Sequence, residues 1–216
     1  MGSIIIIAPP AAGKGTQSKY ISDKYKIPHI STGDLLRDEI HRGTKLGLKI
    51  SKIMKSGSLV SDEIILNVLM NKIKNLDSYI LDGFPRNIYQ AREYERLIHE
   101  FHKTIDKVFY IDLPKEQSKE RILSRLSCSK CGKVYNTAFE ETKPKKANIC
   151  DDCENKLIER DDDTEEVFEN RYQIYINETK PLLDLYNKEK LLYTIDGSLD
   201  KMSIFREICS VLEGDK

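Results

Sequence analysis

The strongest constraint on the fold is a short run of β-branched residues near the start of the chain, followed at once by a loop of small residues. Residues 4–7 are four consecutive isoleucines, and residues 8–16 read Ala-Pro-Pro-Ala-Ala-Gly-Lys-Gly-Thr. Four adjacent apolar residues leave no polar face, which is typical of a parallel strand buried on both sides. From Lys14 onward the spacing of apolar residues is helical. The chain therefore predicts a buried strand, a tight loop and a helix in direct succession.

Strand and helix signals alternate along much of the remaining chain. Short apolar runs predict three more strands, at residues 79–82, 107–113 and 191–196. Amphipathic stretches between them predict helices, at residues 62–74, 90–101 and 115–126. This alternation indicates an α/β fold with a parallel sheet flanked by helices. In such sheets, ligands bind beyond the carboxyl ends of the strands.

Two segments interrupt the alternation. Residues 31–60 hold helical pieces separated by glycines, which predicts a small helical insertion. Residues 125–162 carry four of the five cysteines, many charges and few large apolar residues, so this segment cannot build a core of its own. We expect the main domain to be formed by residues 1–30, 61–124 and 163–216.

The loop at residues 8–16 lies where a phosphate-binding loop (P-loop) would lie, between a strand and a helix. Its backbone N–H groups and the helix N-terminus would cradle phosphate oxygens, with Lys14 reaching the β- and γ-phosphates. Ala8 and Ala11 stand where glycine is usual, and alanine costs about 1–2 kcal/mol wherever φ must be positive. The alternative is an ordinary glycine-containing turn. The residues expected at ATP are Ala11, Ala12, Gly13, Lys14, Gly15 and Thr16.

Four cysteines form two Cys-x-x-Cys pairs, Cys128 with Cys131 and Cys150 with Cys153, separated by eighteen residues. This spacing is typical of a structural zinc site with four thiolate ligands and no open position for catalysis. Free thiols or a pair of disulfides are the alternatives. The N-terminus has no signal-peptide pattern, so we expect a cytoplasmic protein, in which disulfides are rare.

Bulk charge and hydropathy restrict the partners. The chain has 35 Lys and Arg against 35 Asp and Glu, so nothing in its charge favours a nucleic acid partner. No stretch approaches the roughly 20 apolar residues that cross a bilayer, and we expect no membrane partner. The histidines match no catalytic spacing, and we interpret His29 as structural.

Three motifs in register carry a family resemblance. They are Gly-Lys-Gly-Thr-Gln at residues 13–17, Ile-Ser-Thr-Gly-Asp-Leu-Leu-Arg at 30–37 and Asp-Gly-Phe-Pro-Arg at 82–86. In order and spacing the chain resembles the nucleoside monophosphate (NMP) kinases, and most of all the adenylate kinases, over essentially its whole length. The resemblance implies reversible phosphoryl transfer from Mg·ATP to AMP, giving two ADP, in a P-loop kinase core. Residues 31–60 would be the NMP-binding insertion and 125–162 a zinc-containing lid, both closing over the substrates.

The resemblance also implies an acceptor site. Arg37 and Arg86 would hold the AMP phosphate through their planar guanidinium groups, and Gln90 would read the adenine edge. Thr32 favours AMP over pyrimidine acceptors, and Asp82 would orient water around Mg²⁺. The residues expected around AMP are Thr32, Gly33, Arg37, Ser58, Leu59, Val60, Gly83, Phe84, Pro85, Arg86, Gln90, Arg160 and Arg171.

Arginines before and after the lid complete the implied catalytic group. Arg121 and Arg125 are four residues apart in the predicted helix and would share one helix face. Surface salt bridges are the alternative for this pair. The residues implied in catalysis are Lys14, Arg86, Arg121, Arg125, Arg160 and Arg171. Contacts to ATP beyond the P-loop would come from Arg121, Arg125, Val134, Tyr135 and Leu199.

Three rival functions stay open. A sister kinase would use another monophosphate acceptor, or GTP as donor. A degenerate P-loop protein would bind nucleotide without turnover, for which Ala8 and Ala11 are the support. A zinc-ribbon nucleic acid binder would need a basic, aromatic-rich surface, whereas an acidic run follows the cysteines. We expect a monomer.

Overall fold

The computed structural model describes residues 2–55, 58 and 60–214. Within these ranges the chain forms eight strands: β1 (Ser3–Ile7), β2 (His29–Ser31), β3 (Tyr79–Asp82), β4 (Ile105–Asp112), β5 (Arg125–Cys128), β6 (Val134–Asn136), β7 (Leu157–Ile158) and β8 (Leu192–Asp196). The same ranges hold nine α-helices: α1 (Lys14–Tyr25), α2 (Thr32–His41), α3 (Lys45–Lys55), α4 (Asp62–Ile73), α5 (Ile88–His99), α6 (Lys115–Leu123), α7 (Glu165–Ile174), α8 (Pro181–Lys188) and α9 (Lys201–Leu212). A π-helical turn, Tyr175–Thr179, joins α7 to α8.

Five parallel strands form the central sheet, in the order β2-β3-β1-β4-β8. All five residues of β1, the middle strand, are buried. Because side chains alternate along a strand, Ile5 and Ile7 join the core on one face and Ile4 and Ile6 the core on the other. Burial of each isoleucine contributes about 1.5–3 kcal/mol, which favours this segment at the centre of the sheet. The prediction of an α/β fold with a parallel sheet flanked by helices is confirmed.

Strand β2 at the edge of the sheet was not predicted. It is three residues long, and His29 and Ser31 give it no apolar pattern. Its strand conformation comes from parallel pairing with β3, in which Ser31 lies opposite Asp82. The pairing brings the start of α2 beside the carboxyl end of β3.

The predicted helix at residues 115–126 is wrong at its C-terminal end. Helix α6 stops at Leu123, and Arg125 begins β5 opposite Asn136 of β6. The helix periodicity is overridden because antiparallel pairing with β6 satisfies the backbone of residues 125–127. Arg121 and Arg125 therefore lie on different elements, and the prediction that they share one helix face is wrong.

Helices α2 and α3 occupy most of residues 31–60 and cross at close range. Ser31 caps α2, since its side chain accepts a hydrogen bond from the backbone N–H of Asp34 at 3.2 Å. At the crossing, a Cβ on Gly47 would lie 2.4 Å from the carbonyl oxygen of Glu39. Only glycine permits this approach of the two backbones.

A second, antiparallel sheet in the order β6-β5-β7 lies within residues 125–162. Its core holds three large side chains, Leu126, Tyr135 and Leu157, together with Cys128 and Cys150. So few apolar groups bury little surface, in agreement with the expectation that this segment has almost no core.

Candidate active site

The P-loop lies at the carboxyl end of β1, where α1 begins. Gly13, the N-cap of α1, has a left-handed backbone with φ 90°. A glycine N-cap leaves the first N–H groups of the helix without a side-chain partner, which is the arrangement that binds phosphate. The Lys14 ammonium folds back over the loop and donates hydrogen bonds to the carbonyl oxygens of Ala8 at 3.1 Å and Pro9 at 3.2 Å.

The two alanines of the loop differ in backbone conformation. Ala11 has φ 57°, in the left-handed region, whereas Ala8 does not have a positive φ. Ala8 is buried beside the central strand, with 6% of its surface exposed. The cost of alanine in place of glycine therefore falls on Ala11 alone.

Burial of the Lys14 ammonium lowers its pKa to about 8, because desolvation disfavours the charged form. Asp82 opposes this shift, while Arg86, Arg125 and Arg171 add to it. Lys14 thus lies within electrostatic range of one carboxylate and three guanidinium groups.

Asp82 ends β3 and faces the start of α1. A Cβ on Gly15 would lie 3.3 Å from the Asp82 Oδ2 atom, so the carboxylate approaches the P-loop closely. His29 Nε2 lies 3.3 Å from the same oxygen. His29 lines the central cavity, a placement that its spacing in the sequence did not indicate.

The loop after β3 is held against α2. Gly83 has φ 80°, and the Thr32 hydroxyl donates to its carbonyl oxygen at 3.0 Å. The Arg86 Nε donates to the same carbonyl at 2.8 Å. Arg86 is half-buried, and its pKa is lowered by desolvation and then by Arg171. Arg37 pairs with Asp34 at 2.5 Å.

Arginines from both sides of the lid meet in the same region, although they come from separate elements. Arg125 and Arg171 pair with Asp163 and Asp162, respectively. Arg160 donates to the Ser127 hydroxyl at 3.0 Å, and burial, followed by Arg125 and Arg37, lowers its pKa to about 10. Guanidinium groups gathered around Arg160 create a positive potential suited to an anion.

Arg121 occupies a different setting on α6. Its guanidinium lies over the ring of Phe139, 5.6 Å from the centroid. Burial lowers the pKa of Arg121. The cation–π contact holds one face of the guanidinium, and Arg121 lines the central cavity.

One cavity of about 2010 Å³ joins these groups. This volume exceeds the range of about 300–1,000 Å³ of a pocket for a single small molecule. The predicted site residues that line it are Ala11, Ala12, Gly13, Lys14, Gly15, Thr16, Thr32, Gly33, Arg37, Ser58, Val60, Asp82, Gly83, Pro85, Arg86, Gln90, Arg121, Arg125, Val134, Tyr135, Arg160, Arg171 and Leu199. Phe84 differs, because its side chain is buried in the core against Tyr94. Leu59 lies outside the described residues.

The antiparallel sheet places Ile158, which the sequence did not single out, beside the predicted residue Val134. Val134 and Ile158 lie on either side of Ser127 in one row across β6, β5 and β7. Both are more than 40% exposed and line the cavity. The period-2 alternation of β7 is only two residues long, too short to indicate which of its side chains faces the cavity.

The four cysteine sulfurs form one cluster, with every Sγ within 4.8 Å of the others. Cys128 Sγ lies 3.4 Å from Cys153 Sγ, and Cys131 Sγ lies 3.5 Å from Cys150 Sγ. A disulfide requires about 2.05 Å, whereas four thiolates about 2.3 Å from one zinc ion lie about 3.8 Å apart. The donor set and its spacing therefore fit a four-coordinate thiophilic metal.

One cysteine of the cluster, Cys150, has a hydrogen-bond partner that favours its thiolate form. The Tyr135 hydroxyl donates to Cys150 Sγ at 3.5 Å, and this hydrogen bond is the main cause that lowers the Cys150 pKa to about 6. The same hydroxyl accepts the Asp151 backbone N–H at 2.7 Å. Tyr135 therefore links the apolar core of this sheet to the cysteine cluster.

Over the described ranges, no helix has the length and apolar character needed to cross a membrane.

A strand, a P-loop and a helix at the centre of a parallel sheet, facing a cavity rich in arginine, define a P-loop kinase. Comparison with known proteins narrows this class. The adenylate kinase family model matches residues 6–191. The chain is 42% identical to an adenylate kinase of Archaeoglobus fulgidus and 44% identical to one of Kosmotoga olearia, each over 214 residues that cover 98% of this chain and at least 98% of the relative. It is 40% identical over 216 residues to an adenylate kinase of Clostridium perfringens. The chain belongs to the adenylate kinase family, so it is a nucleotide-binding transferase.

Proposed function

We propose that the chain transfers a phosphoryl group reversibly between Mg·ATP and AMP, giving two ADP. The observation that carries this proposal is the convergence of Lys14 with Arg86, Arg125 and Arg171 at one cavity, close enough to shift the Lys14 pKa. Phosphoryl transfer depends on positioning and on neutralising charge. Asp162 and Asp163 compensate part of this positive charge, and a polyphosphate would compensate the rest.

The donor nucleotide would lie between the P-loop and the lid. Backbone N–H groups of the loop and Lys14 would bind the β- and γ-phosphates. The adenine would stack on Arg121, on the face opposite Phe139, against the apolar row that Val134 and Ile158 form. Arg125 and Arg160 would bind the transferring phosphate.

The acceptor would lie between α2 and the loop after β3. Arg37 and Arg86 would hold the AMP phosphate, which places the nucleophilic oxygen towards Lys14. Thr32 hydrogen-bonds to the Gly83 carbonyl, so it would hold this loop in place on the side where the AMP base lies. Gln90, which is 2% exposed and lines the cavity, would contact the adenine edge.

Two metals fit the residues present. Asp82 would hold the hydration shell of Mg²⁺, and the ion would supply positive charge to the phosphates. The four lid cysteines would bind structural Zn²⁺, which replaces the missing core of residues 125–162.

The segments would act as three parts: residues 1–30, 61–124 and 163–216 as the core, 31–60 as the NMP-binding insertion and 125–162 as the lid. Their closure would exclude water from the reacting phosphate. We expect a cytoplasmic monomer, with light scattering as the test of its mass.

A coupled assay of ADP formation from ATP and a panel of monophosphates tests the proposal. We expect AMP to give the highest kcat/KM, a requirement for Mg²⁺, and little ATP hydrolysis when AMP is omitted. Arg86→Lys is the matched variant: it keeps one charge, loses the bidentate fork, and should lower kcat/KM for AMP by at least about tenfold. Absence of ADP from AMP at any concentration would contradict the proposal, and preference for another monophosphate would support a sister kinase.

A further inference from the structure

A hydrogen-bond network lies behind the acceptor side of the cavity, where α4 and α5 begin. Gln90 Oε1 accepts the Arg86 backbone N–H at 2.7 Å, and Gln90 Nε2 donates to Asp62 Oδ1 at 2.7 Å. Gln90 lines the cavity, whereas Asp62 lies behind it. Both ends of a nearly fully buried amide are therefore held by other groups.

These two partners permit only one orientation of the amide. A backbone N–H can only donate, and a carboxylate can only accept. Rotating the amide of Gln90 by 180° would place its NH₂ against the Arg86 N–H and its oxygen against the Asp62 oxygen. Each exchange would turn a short hydrogen bond into a repulsive contact.

Asn87 ties the same carboxylate to the helix that carries Gln90. Its side-chain oxygen caps α5 by accepting the Gln90 backbone N–H at 2.7 Å. Its Nδ2 then donates to Asp62 Oδ1 at 3.2 Å. Asp62 is thus a shared acceptor for two amide groups, and its position is set by both.

The orientation of the amide determines which purine it can pair with. Each end of Gln90 keeps one further hydrogen-bonding position: one N–H and one oxygen lone pair. Adenine offers an acceptor at N1 and a donor at its 6-amino group, which match this N–H and this oxygen. Hypoxanthine offers a donor at N1 and an acceptor at O6, which match the rotated amide instead.

We propose that Asp62 is a specificity-determining positioning residue that holds Gln90 in the orientation for a 6-amino purine and against a 6-oxo purine. The inference rests on the proposed function, in which Gln90 contacts the base of the acceptor. Asp62 touches no nucleotide and acts only through Gln90.

The variant Asp62→Asn tests this role with almost no change in shape. The introduced asparagine can accept from Gln90 as the native carboxylate does, or donate to the Gln90 oxygen after both amides rotate. The barrier to rotation at residue 62 is lowered, although the rotated asparagine gives up the hydrogen bond that Asp62 accepts from Asn87 Nδ2. A hydrogen bond to a charged group corresponds to roughly tenfold to a hundredfold in affinity. The assay measures kcat and KM for AMP and for IMP, which differ only in the groups at positions 1 and 6 of the base.

We expect kcat/KM for AMP to fall by less than about fivefold in Asp62→Asn, while kcat/KM for IMP rises. The AMP-to-IMP ratio should fall at least about tenfold, mainly through KM. Glu63→Gln is the matched control, because it also removes one negative charge from the first turn of α4 but is exposed. This control should leave the ratio unchanged.

A proportional loss of both activities, or an unchanged ratio in a folded Asp62→Asn, would overturn the inference. If thermal unfolding shows that Asp62→Asn is not folded, Asp62→Ser removes the fixed acceptor, because its hydroxyl lies one bond short of the Asp62 Oδ1 position, and the same ratio decides. Failure of the unmodified chain with AMP would instead overturn the proposed function, so the two failures are distinguishable.

Discussion

Ala11→Gly should stabilise the protein, even though glycine usually destabilises. Ala11 has φ 57°, and the left-handed conformation costs an alanine about 1–2 kcal/mol. Glycine relieves this cost but makes the unfolded chain more flexible, which subtracts about 0.4–1 kcal/mol. The net gain is about 0.5–1 kcal/mol. For a chain of this length, each kcal/mol moves the Tm by about 2–4 °C, so we expect an increase of about 1–4 °C.

Ala8→Gly, in the same loop, is the matched comparison and should have the opposite sign. Ala8 is 6% exposed and has no positive φ, so glycine loses a buried methyl group, worth about 0.8 kcal/mol, and relieves no strain. With the added flexibility of the unfolded chain, the expected loss is about 1–2 kcal/mol. Urea unfolding of the three proteins at one pH measures both differences.

A loss of stability in Ala11→Gly as large as that in Ala8→Gly would contradict this prediction. Such a result would mean that the left-handed conformation of Ala11 carries no strain. An m value shared by the three proteins is the necessary control, since a changed m value would indicate an altered unfolded state.

Three further predictions concern charge and metal. Between pH 7 and 9, ATP affinity measured by calorimetry should fall by up to about tenfold, because a Lys14 pKa of about 8 leaves roughly one Lys14 side chain in ten protonated at pH 9. A Lys14→Arg variant should show no such fall. An equal fall in both proteins would mean that another group titrates. Purified protein should contain about one zinc per chain, and a strong chelator should speed proteolysis within residues 125–162 more than elsewhere. If these residues resist the protease equally well with and without metal, the structural role of zinc is disproved. Asp163→Asn should lower the free energy of unfolding in urea by about 3 kcal/mol, because it leaves Arg125 without its ion-pair partner at a position where the Asp163 side chain is only 3% exposed. The control Glu169→Gln, at an exposed pair with Lys115, should lower it by under about 1 kcal/mol. Equal losses would show that burial of the pair does not matter.

Much of the fold could be predicted because its signals are local. The four isoleucines of β1 specify a strand buried on two faces whatever the rest of the chain does. The cysteine pairs predict two turns of a metal site by spacing within three residues each, and the four sulfurs form one cluster. Both patterns work over a few residues, the range over which side-chain periodicity and turn geometry act.

Predictions failed where a distant segment decides the local structure. Arg125 has a helical spacing from Arg121 but lies in β5, because residues 134–136 pair with it. Strand β2 exists because β3 pairs beside it, although its own residues carry no strand signal. Backbone pairing across the chain supplies hydrogen bonds that local propensity cannot anticipate.

The sequence by itself determined which residues are candidates for the chemistry: the P-loop lysine, the arginines, Asp82, Gln90 and the four cysteines. Only the tertiary structure decided how these groups are held: Ala11 and not Ala8 takes the left-handed conformation, Asp163 pairs with Arg125, and Asp62 orients Gln90. The type of a residue determines which hydrogen bonds its side chain can donate or accept and which charge it carries, and the sequence gives the type directly. Its partner is set by packing between segments 28 to 38 residues apart, as in the last two cases, and no local pattern records that distance.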